Sequence, residues 1–264
     1  KLLNFVDILL CEDTRKTSKL LSAHRVKNKI LISYNDHNAS KKRPYVINQL
    51  LLDKSIGLVS DAGTPLISDP GYKLVQECYL KNINVTHSPG PSSVINALVL
   101  SNLPSDQFYF GGFIPSNKSG KEKKFLLTKY NQMTGIWFDT CIRLPNTLKV
   151  MLNIYGNRKI SIMRELTKTH EDVILSDLEN IENILLKRKE SNIPLLGEIV
   201  VVISGYQLNS DLDIDIIKGN IKEKLSSFSL RDTVNMIVSE TGLSKKIIYE
   251  EAIKINNENI NTKK

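Results

Sequence analysis

The stretch from Ile56 to Tyr72, which reads IGLVSDAGTPLISDPGY, decides the fold of the first part of the chain. Its first four residues, Ile56 to Val59, form an apolar run typical of a short buried strand. A helical pattern begins at Tyr72, so the polar residues between the two patterns lie in a loop at the carboxyl end of a strand. Ligands bind at that position in open α/β sheets. The stretch therefore predicts an α/β fold with a ligand site after this strand.

The residue types in this loop suit a small polar ligand. Gly63 lets a ligand approach the backbone closely, and Pro65 and Pro70 stiffen the loop. Asp61 and Asp69 can accept hydrogen bonds from hydroxyls or from an amine. Asp, Gly, Pro and Ser are also the usual turn residues, so an ordinary strand–helix turn is the alternative interpretation. The length and order of the run favour the ligand site.

Strand and helix patterns alternate through the first part of the chain, which predicts a mostly parallel sheet covered by helices on both faces. Strands are predicted at 7–10, 30–34, 56–60 and 84–87, and helices at 14–24, 41–52, 72–81 and 92–101. Gly111 and Gly112, which precede a run of Pro, Ser and Lys residues, predict a hinge at the end of this domain.

A second α/β domain is predicted after the hinge, followed by a helical region. Strands are predicted at 135–138, 159–163, 172–176 and 198–204, and helices at 121–130, 144–155 and 178–189. In the tail, Leu230 is predicted to open one helix, and the turn at 241–244 to precede another. The predicted domains are therefore 1–112, 113–206 and 207–264.

The net charge of +8 comes from one window of the sequence. Between Phe113 and Lys168 there are eleven Lys or Arg residues against three acidic residues, and this surplus equals that of the whole chain. A basic run is more often a solvated face than a binding site. A surplus confined to one segment nevertheless favours a polyanionic partner.

Composition excludes several other classes of protein. The hydrophobic content of 41% and the charged content of 24% are ordinary for a globular protein. No apolar run is long enough to cross a membrane, and no segment has the layout of a signal peptide, so we expect a cytoplasmic protein without a membrane partner. Cys11, Cys78 and Cys141 lack metal-ligand spacing and are expected to be reduced thiols, and no metal site is predicted.

Several short motifs resemble, in the same order, those of one known family. They are Cys11-Glu12-Asp13-Thr14-Arg15, Ser33-Tyr34, the loop after Val59, Ser88-Pro89-Gly90-Pro91-Ser92, Arg164-Glu165-Leu166-Thr167-Lys168 and Gly197-Glu198-Ile199-Val200. The family that they resemble is ribosomal RNA small subunit methyltransferase I, a branch of the tetrapyrrole methylase superfamily. The resemblance extends from Phe5 to about Ile255.

This resemblance implies a fold and an activity. The implied fold has two α/β domains of tetrapyrrole-methylase type with a cofactor crevice between them, and a small C-terminal helical appendage that helps to engage RNA. The implied activity is transfer of a methyl group from S-adenosylmethionine to the ribose 2′-hydroxyl of a cytidine in the decoding region of 16S rRNA. The implied partner is that rRNA within the small ribosomal subunit, and a homodimer is left open.

Two loops that each follow a predicted strand are the candidate cofactor site. They contain Asp61, Ala62, Gly63, Thr64 and Pro65 in one loop, and Pro89, Gly90, Pro91 and Ser92 in the other. Neither resembles the glycine-rich loop that holds a pyrophosphate, which suits a ligand without phosphates. Because their strands are neighbours in the sequence, the two loops are expected to converge. Ser92 is equally well explained as a helix N-cap.

Methyl transfer to a hydroxyl requires alignment of the reacting atoms and removal of the hydroxyl proton. The candidate proton acceptors are Glu12, Asp13 and Glu165. The candidate cations for RNA phosphates are Arg15, Lys121, Lys123, Lys124, Arg143, Arg164 and Lys168. Ordinary ion pairs, Glu12 with Arg15 and Arg164 with Glu165, are the alternative interpretation for four of these residues.

Two features depart from the family pattern. Family members begin with a strand and a Thr-Pro-Ile-Gly-Asn loop, upstream of the segment matched by Lys1, so the chain is expected to be a fragment or to lack one wall of the cofactor site. The run from Phe138 to Arg143 reads FDTCIR where the family has Tyr-Glu-Ser-Pro-His-Arg, so Asp139 is a shortened acid and Arg143 is retained. Two alternatives follow: a precorrin-type tetrapyrrole methyltransferase, and a degenerate RNA-binding relic without activity.

Overall fold

The computed structural model describes residues 2–191, 196–207, 211–241 and 243–261. The chain forms two compact units, Lys1–Ser93 and Val94–Lys264. Within the described residues, the elements in chain order are α1 (Leu2–Phe5), β1 (Ile8–Cys11), α2 (Thr14–Ala23), β2 (Ile30–Ser33), α3 (Ala39–Leu51), β3 (Ile56–Val59), α4 (Tyr72–Leu80), α5 (Ser93–Leu100), β4 (Phe108–Phe113), α6 (Lys118–Leu126), β5 (Thr134–Thr140), α7 (Leu144–Tyr155), β6 (Lys159–Arg164), β7 (Asp172–Asp177), α8 (Ile181–Glu190), β8 (Glu198–Ile203), α9 (Asp211–Leu225), α10 (Leu230–Thr241) and α11 (Lys245–Asn261).

The first unit is built on a parallel sheet with β1 between β2 and β3. All four residues of β1 are buried, as expected for the central strand of a parallel sheet covered on both faces. Cys11 pairs with both Ser33 and Val59, so the three strands end at one edge. The predicted parallel sheet is therefore confirmed, and its edge gathers the loops that follow all three strands.

The predicted strand at 84–87 is wrong. Residues 83–92 form an irregular segment between α4 and α5, without strand pairing. Asn82, with φ of 56°, closes the turn after α4. Residues 84–87 are all exposed, with Val85 at 37%, so they have no buried apolar side chain that would hold them in the sheet.

The second unit contains a mixed sheet in the order β4-β5-β8-β6-β7 among the described strands. β4 is parallel to β5, whereas β5, β8, β6 and β7 pair antiparallel with their neighbours. One face is covered by α6, α7 and α8, whose apolar residues pack around Trp137. The opposite face packs against α5 through Val94, Ala97 and Leu98. The tetrapyrrole-methylase type of α/β fold predicted for the chain agrees with this arrangement of two sheets and covering helices.

The predicted hinge at Gly111 and Gly112 is also wrong, because both glycines lie inside β4. A Cβ atom on Gly111 would lie 2.0 Å from Cζ3 of Trp137, so close packing against this ring requires glycine there. Gly112 has φ of +71° at a register shift between Phe110 and Phe113. The division between the compact units falls after Ser93, whereas the predicted boundary at 112 lies within this strand.

The C-terminal helices α9, α10 and α11 pack on one another around a separate apolar cluster. Its buried members include Ile221, Val234, Ile237, Ile248 and Ala252. The predicted turn at 241–244 includes Gly242, which lies outside the described residues. Among the helices that the structure describes, none has the length and apolar composition needed to cross a membrane.

Candidate active site

The loops after β1 and β3 are joined by reciprocal hydrogen bonds. The main-chain N–H of Asp61 donates to Oε2 of Glu12 at 3.1 Å, and the N–H of Asp13 donates to Oδ1 of Asp61 at 3.3 Å. Lys16 places its Nζ 2.9 Å from Oδ2 of Asp61. Each loop therefore holds a carboxylate of the other, and these acidic side chains have defined positions at the edge of the sheet.

Asp13 serves mainly to cap α2. Its Oδ1 accepts from the main-chain N–H of Arg15 at 2.8 Å, and its Oδ2 lies 2.7 Å from the Arg15 guanidinium. Hydrogen bonds from the Arg15 side chain and backbone hold the pKa of Asp13 well below its usual range. A carboxylate with a strongly lowered pKa is a weak proton acceptor. Arg15 therefore pairs with Asp13, and the ion pair between Glu12 and Arg15, which was the alternative interpretation of the sequence, does not form.

The loop from Ser60 to Gly71 has an unusual backbone. Gly63 has φ of +73°, and the non-glycine residues Leu66 and Ser68 have φ of 73° and 62°. The left-handed conformation costs on the order of 1–2 kcal/mol for residues other than glycine. Such outliers cluster at ligand-binding and catalytic loops, where the surrounding structure maintains them. The backbone therefore favours the ligand-site interpretation over an ordinary turn.

The two candidate cofactor loops lie side by side, as expected from their positions in the sequence. Oγ1 of Thr64 donates a hydrogen bond to the carbonyl oxygen of Pro91 at 2.8 Å. A Cβ atom built on Gly63 would meet nothing within 4 Å, and one on Gly90 would meet only the Ser88 carbonyl oxygen at 3.8 Å. Both glycines therefore border open space, which leaves their main-chain groups accessible to a ligand.

Asp69 has a perturbed pKa that the sequence did not reveal. Burial, together with the smaller effect of the nearby Glu12 charge, raises the pKa of its carboxyl group from 3.8 to about 6. Glu12 and Asp69 are 57 positions apart in the sequence, so only the folded loops bring them close. Perturbed carboxyl groups of this kind are enriched at functional sites.

In the second unit, Glu165 is held at the end of β6. Its Oε1 accepts from the main-chain N–H of Glu198 at 2.7 Å and from Nζ of Lys168 at 3.2 Å. The hydrogen bond from the Glu198 backbone lowers the pKa of Glu165, and Lys168 lowers it further. Glu165 and Thr167 have φ of 49° and 66°, so this loop also contains left-handed non-glycine residues.

Gly197 makes this arrangement sterically feasible. Its φ is +102°, and a Cβ atom there would lie 2.3 Å from Oε1 of Glu165. Sγ of Cys141 donates to the Gly197 carbonyl oxygen at 3.0 Å, which connects the end of β5 to the start of β8. Position 197 must therefore be glycine, because the Glu165 side chain passes directly over the backbone there.

The shortened acid Asp139 still holds Arg143. Its carboxylate is buried, and Oδ1 lies 3.0 Å from a guanidinium nitrogen of Arg143. Oγ1 of Thr147 donates to Oδ2 at 2.7 Å. The buried Asp139 carboxylate anchors the Arg143 guanidinium, and the Arg143 side chain still reaches the surface because it is 27% exposed.

The candidate cations differ in their access to solvent. Lys121 is only 2% exposed, and we remove it from the phosphate-binding set because a buried ammonium cannot contact a surface polyanion. Nζ of Lys124 donates to the Phe113 carbonyl oxygen at 3.2 Å, whereas Lys123 is exposed. Arg164 is 12% exposed at its side chain and lies 3.9 Å from Asp172, so the alternative interpretation, an ion pair with Glu165, is not the contact that forms.

The structure therefore assembles two groups of candidate residues. The first unit brings together Glu12, Asp13, Arg15 and both cofactor loops. The second unit brings together Glu165 and Lys168, with Glu198 as a partner that the sequence had not singled out as a site residue. Lys168 links the two carboxylates, since its Nζ also lies 2.9 Å from Oε2 of Glu198.

The comparisons with known proteins give a consistent family. Residues 1–182 match the model for tetrapyrrole (corrin/porphyrin) methylases. Ribosomal RNA small subunit methyltransferase I of Rickettsia prowazekii (strain Madrid E) is 41% identical over 242 residues, which cover 92% of this chain and 79% of that protein. The protein of that name from Thermotoga maritima is 40% identical over 78% of this chain and 90% of its own length.

A solved structure supports the fold alone. A cobalt precorrin-4 methyltransferase superposes with a TM-score of 0.51 at 13% identity, covering 79% of this chain and 87% of its own. With the family model and the curated relatives, this agreement leads to one assignment. The chain belongs to the tetrapyrrole methylase family, in the group of ribosomal RNA small subunit methyltransferase I.

Proposed function

We propose that this chain methylates the ribose 2′-hydroxyl of a cytidine in the decoding region of 16S rRNA, within the small ribosomal subunit, with S-adenosylmethionine as methyl donor. The observation that carries the proposal is the Thr64–Pro91 hydrogen bond, which joins the loop after β3 to the loop before α5 in a chain about 40% identical to rRNA methyltransferases. The relatives are named for rRNA, and the basic window of this chain suits the same class of substrate.

The two joined loops fit S-adenosylmethionine chemically. This molecule has no phosphate, and neither loop offers the glycine-rich turn that a pyrophosphate requires. Gly63 and Gly90 present main-chain groups to open space, where an adenine and a ribose can form hydrogen bonds. Asp61, which Lys16 and the Asp13 amide hold in place, would accept from a ligand hydroxyl or amine. When bound, S-adenosylmethionine supplies an electrophilic methyl group.

Within the second unit, Glu165 is the best candidate for the proton acceptor. Hydrogen bonds from the Glu198 backbone and Lys168 hold its ionised carboxylate at the end of β6, where it can accept a hydrogen bond from the acceptor hydroxyl, although its lowered pKa makes it a weaker base. Lys168, 43% exposed at its side chain, would favour negative charge on the hydroxyl oxygen or bind a neighbouring phosphate. Glu12 remains a second candidate, whereas Asp13 is better suited to capping α2.

The RNA is proposed to contact the exposed cations of the basic window. Lys123, Lys168 and Arg143 reach the surface, and Arg143 is oriented by Asp139. Arginine held in this way is suited to phosphate because little side-chain freedom remains to be lost on binding. Arg15, whose side chain is 87% exposed, is a further candidate in the first unit.

Methylation of a tetrapyrrole precursor is the second candidate function, and it is supported by the shared fold. The basic window suits both substrates, because precorrins carry several carboxylates; the curated relatives, which are named for rRNA, favour the first function. A relic that binds RNA without methylating it is the third candidate.

A methylation assay separates the three functions. The chain is incubated with S-adenosylmethionine labelled in its methyl group and with small ribosomal subunits that lack the modification, or with a precorrin. We expect label in the rRNA, at a ribose, and none in the precorrin. Label in the precorrin alone would support the tetrapyrrole enzyme. Cofactor binding by calorimetry without transfer to either substrate would indicate that the acceptor is different, and RNA binding without cofactor binding would indicate the relic.

A further inference from the structure

Phe113 is an exposed aromatic residue held in a fixed position. It ends β4 and is 54% exposed, and its ring contacts Phe138 edge-on with centroids 5.3 Å apart. Its carbonyl oxygen accepts from Nζ of Lys124 at 3.2 Å, and the N–H of Ile114 donates to the Phe138 carbonyl oxygen at 2.9 Å. The peptide group that joins Phe113 to Ile114 is therefore anchored through both its carbonyl oxygen and its N–H.

A local irregularity of β4 directs this ring. The register with β5 shifts between Phe110 and Phe113, at the point where Gly112 has φ of +71°. Such bulges re-aim side chains at sheet edges and beside active sites. β4 is at the edge of the described sheet, and the Phe113 ring lies beside Phe138 on the face that packs against α5.

Phe113 lies at the same end of the sheet as the Glu165 group. β4 and β5 run parallel and pair Phe113 with Phe138, while Thr140 of β5 pairs with Glu198 and Arg164 of β6 pairs with Ile199. The ends of β4, β5 and β6 therefore coincide. In the order β4-β5-β8-β6, three strand spacings separate Phe113 from the end of β6, or about 14 Å.

Cations lie at the same end of the sheet as this ring, on the face covered by α6 and α7. Lys123 is exposed on α6, next to the Lys124 that binds the Phe113 carbonyl, and Arg143 follows β5. A single exposed apolar residue is ordinary on a protein surface. A fixed aromatic ring and cations at one end of a candidate active-site sheet together have the composition of a single-strand binding surface, where bases stack and cations hold phosphates.

We propose that Phe113 stacks on a nucleobase of the RNA, one that neighbours the acceptor nucleotide. The proposal rests on the proposed function, since it requires an RNA substrate. The separation of about 14 Å from the end of β6 assigns the ring to a flanking base rather than to the acceptor itself. Contacts to flanking nucleotides set the sequence context of enzymes that act on a single nucleotide. Phe113 thus contributes to the choice of site in the rRNA.

The first test measures RNA affinity by anisotropy of a labelled fragment of the 16S decoding region. We expect Phe113→Ala to weaken binding about tenfold, because base–aromatic stacking is lost. Phe113→Trp should retain affinity, since it preserves the stacking surface. Leu127→Ala is the matched control, because Leu127 is 79% exposed in the same unit and is not aromatic. Melting curves should be close to that of the unmodified chain for all three variants.

Salt dependence distinguishes stacking from charge. The loss in Phe113→Ala should be the same at low and high salt, because no counterion is released by a ring. A loss that disappears at high salt would overturn the proposal. Fragments with one abasic nucleotide at a time then locate the base: one position should weaken binding to the unmodified chain and have no further effect on Phe113→Ala.

The outcomes also separate this proposal from the proposed function. If the unmodified chain neither binds the fragment nor methylates small subunits, the rRNA function fails, and the stacking role fails with it. If the unmodified chain does both and Phe113→Ala equals it, only the stacking role is overturned. If Phe113→Ala instead converts a dimer to a monomer in sedimentation with unchanged RNA affinity, the ring contacts a second copy of the chain and the stacking role is overturned.

Discussion

The Thr64 hydroxyl donates a hydrogen bond to the Pro91 carbonyl oxygen at 2.8 Å, and this contact connects two loops that are 27 positions apart. The Thr64 loop follows β3 and the Pro91 loop precedes α5, and both have main-chain groups open to solvent. A hydrogen bond between them fixes the width of the space that a ligand would occupy.

Thr64→Val should weaken binding of S-adenosylmethionine about fivefold. The substitution removes the hydroxyl with little change in shape, and one neutral hydrogen bond contributes about 1 kcal/mol. Calorimetric titration measures the change, and Thr64→Ser, which keeps the hydroxyl, is the control. Equal affinity in Thr64→Val and the unmodified chain would show that the loop contact does not shape the cofactor site.

Gly63→Val should abolish cofactor binding and lower the stability modestly. The φ of +73° strains any branched residue, and the added side chain would enter the open space beside the loop. Gly156 is a matched control, since it has φ of +71° and open space but caps α7 in the second unit. Gly156→Val should therefore lose similar stability and keep cofactor affinity. Similar affinities for the two variants would argue against a ligand at Gly63.

Glu165→Gln should slow single-turnover methylation by about 100-fold, the usual contribution of a positioned proton acceptor. RNA affinity should be retained, because the substitution leaves the cations in place. Arg164→Ala is expected to behave differently: its side chain is 12% exposed beside Asp172, so its loss should lower the melting temperature. A Glu165→Gln variant that loses stability with no selective loss of rate would make Glu165 a structural residue.

Lys123→Glu should weaken RNA binding and reduce the slope of log affinity against log salt by about 1, since one phosphate contact is lost. Lys121→Met is the comparison, because Lys121 is 2% exposed and should contribute nothing to the slope. Anisotropy titrations at several salt concentrations measure both variants. The assignment of the RNA surface to Lys123 fails if the two slopes coincide.

Asp69 should make the stability of the first unit depend on pH. Its pKa of about 6 in the folded chain lies above the ordinary 3.8, so the folded state binds the proton more tightly than the unfolded state between these values. Stability therefore falls as pH rises from about 4 to about 6 and is level above that. Asp69→Asn removes this dependence. The melting temperature of the variant minus that of the unmodified chain should therefore increase as the pH is raised from about 4 to about 6. Asp106→Asn, an exposed carboxylate elsewhere, is the control.

Local sequence signals predicted a helix or strand correctly wherever the local preference and the tertiary packing favoured the same structure. The bounds of α7 were predicted correctly, because Pro145 suits its first turn and Gly156 suits the left-handed end. The ligand site at the loop after β3, which its residue types predicted, stays a prediction. The two loops were expected to converge because each was predicted to follow a strand, but among the described residues no strand directly precedes Pro89, and the Thr64–Pro91 hydrogen bond joins the loops instead. The RNA-binding and catalytic roles of individual residues stay predictions.

Tertiary contacts account for what the sequence did not reveal. β4 was missed because two adjacent glycines resemble a hinge, and only the Trp137 ring explains Gly111. Lys121 was assigned to the surface by its charge, although it lies four residues before Phe125, on the buried face of α6. That spacing was the signal that could have identified it.

The contact between Gly111 and Trp137 also restricts how these two positions can diverge. A methyl group at 111 would lie 2.0 Å from the indole ring, so no larger residue fits while the tryptophan remains. A lineage that replaces the tryptophan with a small residue loses the edge contacts to Tyr109 and Phe125 and opens a cavity in the second unit. Positions 111 and 137 should therefore covary among related sequences. Glycine at 111 should accompany tryptophan at 137, and a larger residue at 111 should accompany a smaller side chain at 137.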